Sequence, residues 1–143
     1  MKLIVDASIG IKWFKKEDEK DVFMSMNLLK KYHAKDFEIL IPDLFLFEVI
    51  NALCINTSLS IKGLQDVFTK IMQLHFTVVI PDEQLFFSSI IISKSTGLSL
   101  YDSIYIGAAQ NYNALLVTAD KKILQNKNKY GFIKNIEEVG SII

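Results

Sequence analysis

Short runs rich in β-branched residues recur along the chain, each followed by a stretch with helical spacing, and this alternation limits the fold more than any other feature. The spacing predicts strands at Lys2–Val5, Phe37–Ile41, Phe76–Ile80 and Leu115–Thr118, with a weaker one at Phe132–Lys134. Helices are expected at Ile9–Phe14 behind Ser8 as N-cap, and over 17–33 with Val22, Met26 and Leu29 in register and Phe23 widening the stripe. Pro42-Asp43 marks the switch to a helix over Leu44–Thr57, with Phe45, Val49, Ala52 and Leu53 facing inward. Further helices follow at Ser60–Leu74 (Leu64, Val67, Phe68, Ile71), Glu83–Ser95 with Gly97 as stop, Asp102–Tyr112 and Lys121–Gln125, ahead of a frayed end. Gly107, Ala108 and Ala109 allow their helix a close approach to a sheet. Right-handed crossovers place such helices on both faces of a parallel sheet, so the expected fold is a three-layer α/β/α sandwich around four to five parallel strands.

The chain of 143 residues fits one domain spanning 1–143, with no linker. Apolar residues make up 50% of it and charged ones 22%, an apolar share that leaves room for a partner surface. Sixteen lysines balance sixteen acids and there is no arginine, which excludes strong nonspecific nucleic-acid binding driven by net charge; any basic patch must be local. The lone Cys54 excludes an internal disulfide and is expected to be a small buried hydrophobe. A strand beginning at the second residue leaves no space for a signal peptide, and no apolar run approaches the roughly 20 residues of a membrane span. The expectation is a cytoplasmic protein with no membrane segment.

Four carboxylates fall where chemistry is expected in such a sheet, near the carboxyl ends of strands or on helices beside them. Asp6 follows the first strand, and by itself is equally a helix cap. Glu48 lies within the apolar helix Leu44–Leu53, where an unpaired charge carries a desolvation cost of several kcal/mol. Asp102 opens the helix before the fourth strand, where a first-turn anion is the simpler alternative. Asp120 follows Thr118 at the end of that strand and is alternatively a loop acid. Asn51 is one helical turn from Glu48, placed to orient it or a water, or simply to face solvent. Ser8 and Thr118 set hydroxyls within two residues of an acid, where local turn bonding competes with holding a metal-bound water. Together the four acids read as a magnesium site, because crowded carboxylates repel and a hard divalent ion relieves that repulsion while activating water. The chain therefore reads as a metal-dependent phosphodiester hydrolase.

In this order the segments VDAS, PDLFLFEVINAL, LSLYDSIYIGAA and LLVTADKKI resemble the PIN-domain ribonucleases, and most of all their VapC-type toxin branch, over Lys2 to about Leu124. The resemblance implies a PIN-like sandwich with Asp6, Glu48, Asp102 and Asp120 as catalytic and metal-holding acids and Thr118 as the accompanying hydroxyl. It further implies an endoribonuclease dependent on Mg²⁺ or Mn²⁺, an RNA substrate, a protein antitoxin and a homodimer. Ser103 stands where that branch usually has alanine, and the missing arginines put RNA contacts, not the metal site, in question.

Lys12, Lys15 and Lys16 follow the first acid, and Lys121, Lys122, Lys127 and Lys129 follow the fourth, so cations for phosphates flank the proposed crevice. Trp13 and Phe14 are expected in the core rather than as base-stacking platforms. Phe45, Phe47, Phe86 and Phe87 belong first to packing, with a partner groove or dimer seam as the alternative. Two rival readings remain. One is a phosphoacceptor receiver domain using Asp82, which lacks the adjacent acidic pair after the first strand and leaves Glu48 unexplained; the other is a catalytically silent PIN-like interaction module.

Overall fold

A computed structural model describes residues 1–15 and 20–142. Five strands form one parallel sheet: β1 (Lys2–Val5), β2 (Glu38–Pro42), β3 (Thr77–Val79), β4 (Leu115–Thr118) and β5 (Ile133–Asn135), in the order β3-β2-β1-β4-β5. Helices α1 (Ala7–Lys12), α2 (Lys20–His33), α3 (Leu44–Asn56), α4 (Ile61–Gln73), α5 (Glu83–Thr96), α6 (Leu100–Asn111), α7 (Lys121–Leu124) and α8 (Ile136–Val139) complete the chain. The result is the expected three-layer α/β/α arrangement. Leu3, Ile4, Val5, Ile39, Leu40, Ile41, Leu116 and Val117 are all buried without alternation, because helices cover both faces of the central strands. Among the described residues, no helix is long and apolar enough to cross a membrane.

Strand order fixes where ligands are received. From β1 the chain steps outward through β2 to β3, then returns to lay β4 on the other side of β1. The direction in which strands are added thus reverses between β1 and β4, and in open sheets of this kind ligands are received beyond the carboxyl ends at such a switch point.

Several local expectations shift. The first helix starts at Ala7, with Asp6 rather than Ser8 as N-cap. Residues 17–19, where the second helix was expected to begin, and Lys16 lie outside the described residues. The buried side of α2 carries Ser25 and Leu28, while Phe23 is 75% exposed and Met26 is exposed too, so the stripe is rotated from the one read from spacing. Cys54 is exposed, not buried. β3 is only three residues long because it is an edge strand: Phe76 leaves it to pack on Trp13 and Tyr32 at ring separations of 5.5 and 5.0 Å, and Ile80 is exposed. α6 begins at Leu100 behind Ser99, whose Oγ accepts from the Asp102 N–H at 3.1 Å, so Asp102 sits in the first turn rather than opening the helix. Gly107 serves a helix contact, not the sheet: a Cβ there would meet Ser89 Oγ of α5 at 2.8 Å. The end expected to fray forms α8, held by a capping box between Asn135 and Glu138.

Trp13 is in the core as expected, its indole N–H donating to the Ser25 carbonyl at 2.9 Å, and Phe45 is buried beside it at a ring separation of 6.0 Å. The other three phenylalanines assigned first to packing do not fit that assignment. Phe47 is 72% exposed, and Phe86 and Phe87 lie on the outer side of α5 with Ile90 and Ile91, whose inner side is Leu85, Ser89 and Ile92.

Candidate active site

The carboxyl ends of β1 and β4 are joined by a hydrogen-bond network centred on Asp6. Its backbone N–H donates to the Val117 carbonyl at 3.0 Å, extending the parallel ladder by one residue and setting the carboxylate at the crevice. The side chain is only 5% exposed, and every hydrogen bond it accepts ends on Oδ2. The donors are the Ser8 N–H at 3.3 Å, the Ser8 hydroxyl at 2.5 Å and the Thr118 hydroxyl at 2.8 Å. Ser8 Oγ in turn accepts from the Ala119 N–H and Thr118 Oγ1 from the Asp120 N–H, each at 2.9 Å. Both hydroxyls therefore link β1 to the β4 turn instead of bonding only within their own turns. Among the described residues, Oδ1 of Asp6 accepts no hydrogen bond.

Glu48 sits half-buried in the middle of α3 and is held by Tyr105, whose hydroxyl donates to Oε2 at 2.5 Å. Tyr105 is fully buried on α6, one turn beyond Asp102, and burial followed by the fields of Asp6 and Glu48 pushes its phenol well above the ordinary range. Asp102 is half-buried in the first turn of the same helix. Asp120 caps α7, its Oδ1 accepting from the N–H groups of Lys122 at 2.7 Å and Ile123 at 3.2 Å.

The negative charges of these acids bear on Glu48 and Asp6. Burial raises the Glu48 carboxyl most; the Tyr105 hydrogen bond opposes that, and the negative charges of Asp6, Asp102 and Asp120 each raise it further. Asp6 is likewise raised, first by burial and in part by Asp120, against the lowering effect of Ser8 and Thr118. Among the described residues, no group of three or more His, Cys, Asp or Glu side chains, the four acids included, is gathered closely enough to hold one ion. Their chemistry fits a hard divalent cation: the donors are all oxygen, they repel one another, and Asp6 is desolvated with one oxygen uncommitted. Such ions keep several waters and need only a few carboxylates.

The remaining expected residues divide. Asn51 is exposed, and it is Tyr105 that orients Glu48. Lys12 pairs with Asp21 at 3.5 Å and Lys15 is half-buried. Lys127 pairs with Glu138 at 2.6 Å, and Lys129 donates to Ser95 Oγ at 2.9 Å. Lys121 and Lys122 are exposed on α7, directly after Asp120. Asp82, the acid of the receiver reading, caps α5 by accepting from the Leu85 N–H at 2.8 Å, beyond an edge strand. Sequence reasoning passed over Tyr105. The available signal was a phenol three residues after Asp102 in an otherwise apolar helix, since a buried hydroxyl needs a partner.

Residues 3–129 match the sequence profile of the PIN domain, and the chain belongs to that family. Among solved structures it is similar to PAE2754 from Pyrobaculum aerophilum, at 22% identity and a TM-score of 0.69, over 97% of this chain and 92% of that one. A toxin–antitoxin complex from Klebsiella pneumoniae gives 17% identity and a TM-score of 0.69, over 94% and 97% of the two chains. VapBC2 from Rickettsia felis, bound to a DNA fragment from its promoter, gives 17% identity and a TM-score of 0.64, over 94% and 98%. These likenesses are of fold. Among curated proteins, none gives a significant match.

Proposed function

We propose that this chain is a divalent-metal-dependent endoribonuclease acting as the toxin of a toxin–antitoxin pair. The observation that carries the proposal is the network in which Ser8 and Thr118 hold the Asp6 carboxylate beside the Asp120 turn at the switch point of the sheet. PIN-domain membership supports a nuclease, and the toxin–antitoxin complexes among the structures of like fold support the biological role.

In this reading Asp6, Glu48, Asp102 and Asp120 hold Mg²⁺ or Mn²⁺, which when bound polarises a phosphoryl oxygen and lowers the pKa of water toward neutrality. The chain's own residues do the rest. Ser8 and Thr118 fix Oδ2 of Asp6, so that Oδ1 is presented in one orientation. Lys121 and Lys122 lie beside Asp120, where their ammonium groups meet RNA phosphates. Hydrolysis with loss of the 3′ oxygen leaves 5′-phosphate and 3′-hydroxyl ends. The exposed apolar residues Phe47, Phe86, Phe87, Ile90 and Ile91 offer surface for protein partners, an antitoxin and a second copy of the chain.

The test is incubation of the purified chain with single-stranded and structured RNA, with Mg²⁺, with Mn²⁺ and with chelator. The expected result is metal-dependent cleavage with 5′-phosphate ends that is lost in Asp6→Asn and Asp102→Asn. Cleavage that persists in chelator, or in both variants, overturns the proposal.

A further inference from the structure

Tyr105 reaches Glu48 from a different helix, and its surroundings are specific. Its side chain is fully buried, and its hydroxyl donates to Glu48 Oε2 at 2.5 Å. A phenol has one proton to donate, and here it goes to the carboxylate. Tyr105 therefore ties α6, one turn beyond Asp102, to the middle of α3 that carries Glu48.

From this geometry we infer that Tyr105 is a positioning residue for Glu48: its hydroxyl engages Oε2 and leaves Oε1 as the oxygen offered to a cation between Glu48 and Asp6. The inference rests on the metal reading of the site given above. Without the hydroxyl, Glu48 has no fixed rotamer to present and its charged form loses a buried donor, so the site must order the side chain when the ion arrives. Outer-shell partners of metal-binding carboxylates typically contribute 10- to 100-fold to metal affinity.

Mn²⁺ binding, followed by electron paramagnetic resonance of the free ion, tests this without reference to cleavage. Wild type, Tyr105→Phe, Glu48→Gln and the double variant are titrated, with thermal melts of the metal-free proteins alongside. Phe keeps the ring and its packing; Tyr105→Leu removes the hydroxyl in a different shape as a second check. The expected result is a Kd weakened about 10- to 100-fold in Tyr105→Phe and in Tyr105→Leu, with no further weakening when Tyr105→Phe is added to Glu48→Gln. That non-additivity marks action through Glu48, whereas a general structural effect persists in the double variant. A Tyr105→Phe Kd within twofold of wild type, or full additivity, overturns the inference. If wild type binds Mn²⁺ and Glu48→Gln weakens it while Tyr105→Phe does not, this inference fails and the metal reading stands; if wild type binds no Mn²⁺, both fall.

Discussion

Thr118 donates its hydroxyl to Asp6 Oδ2 at 2.8 Å, joining two residues 112 positions apart across the β1–β4 switch point. The same oxygen of Thr118 accepts the Asp120 N–H at 2.9 Å. One hydroxyl thus orients the first acid and fixes the turn that presents the fourth. Ser8 repeats the device in the other direction, from the Asp6 carboxylate to the Ala119 N–H.

Thr118→Val keeps the shape of this side chain but leaves a buried carboxylate and a backbone N–H each short of a partner. The expected cost is about 1–3 kcal/mol, read as a lower Tm in the metal-free protein. Thr118→Ser keeps the hydroxyl and is expected to lose less than half as much. Equal losses in the two variants contradict the assigned role.

The raised carboxyls make stability depend on pH in a defined direction. Asp6 has an ordinary value of 3.8 and is raised chiefly by burial, so the native state holds its proton more tightly than the unfolded chain. Its contribution is therefore fully present below the unfolded value and is lost as pH rises through the native one. Asp6→Asn removes this dependence. In metal-free protein, the Tm of Asp6→Asn minus that of wild type should grow as pH rises from 4 to 7. Added Mn²⁺ should shrink the difference by stabilising wild type alone. A difference independent of pH contradicts the burial argument.

Helix α1 approaches α3 so closely that a Cβ on Gly10 would lie 2.4 Å from Phe45 Cζ and 3.0 Å from Val49 Cγ2. Glu48 is carried by the same helix, adjacent to Val49. Gly10→Ala is expected to cost about 1–3 kcal/mol through overpacking and to displace α3, so that metal affinity falls with stability. Gly131→Ala, where added bulk meets nothing within 4 Å, is the control and should leave both unchanged.

Strands were the most legible elements because burial on both faces leaves runs such as Leu115–Thr118 with no competing pattern, and that strand has the bounds read from the sequence. The places of Asp6 and Asp120 just beyond β1 and β4 were legible for the same reason. Helix faces were less so. In α5 the apolar residues surround the helix, so Phe86 and Phe87 could not be distinguished from Leu85 and Ile92 by type, only by where α6 packs. Asp6 and Ser8 exchanged roles because either residue type caps a helix, and the bond from Ser8 to Ala119 is visible only once β4 lies beside β1. Tyr105 escaped notice because its partner, Glu48, is 57 positions away.

Lys121 and Lys122 are exposed on α7, whose start is fixed by Asp120, and the proposed function has them meet phosphates. Changing both to Gln should weaken RNA binding across all sequences and flatten the salt dependence of log K by about 0.7 per lysine removed, the value for single strands. The unfolding free energy should stay within about 0.5 kcal/mol of wild type, as for exposed positions generally. An unchanged salt slope removes these lysines from the interface.

The central claim is that Asp6, Glu48, Asp102 and Asp120 meet around a divalent cation, and a crystal soaked in Mn²⁺ tests it most directly. The account predicts an anomalous peak in the crevice between β1 and β4, within about 2.0–2.3 Å of oxygens from at least two of the four acids. A crevice with no peak at millimolar Mn²⁺, or a peak bound elsewhere on the chain, contradicts it.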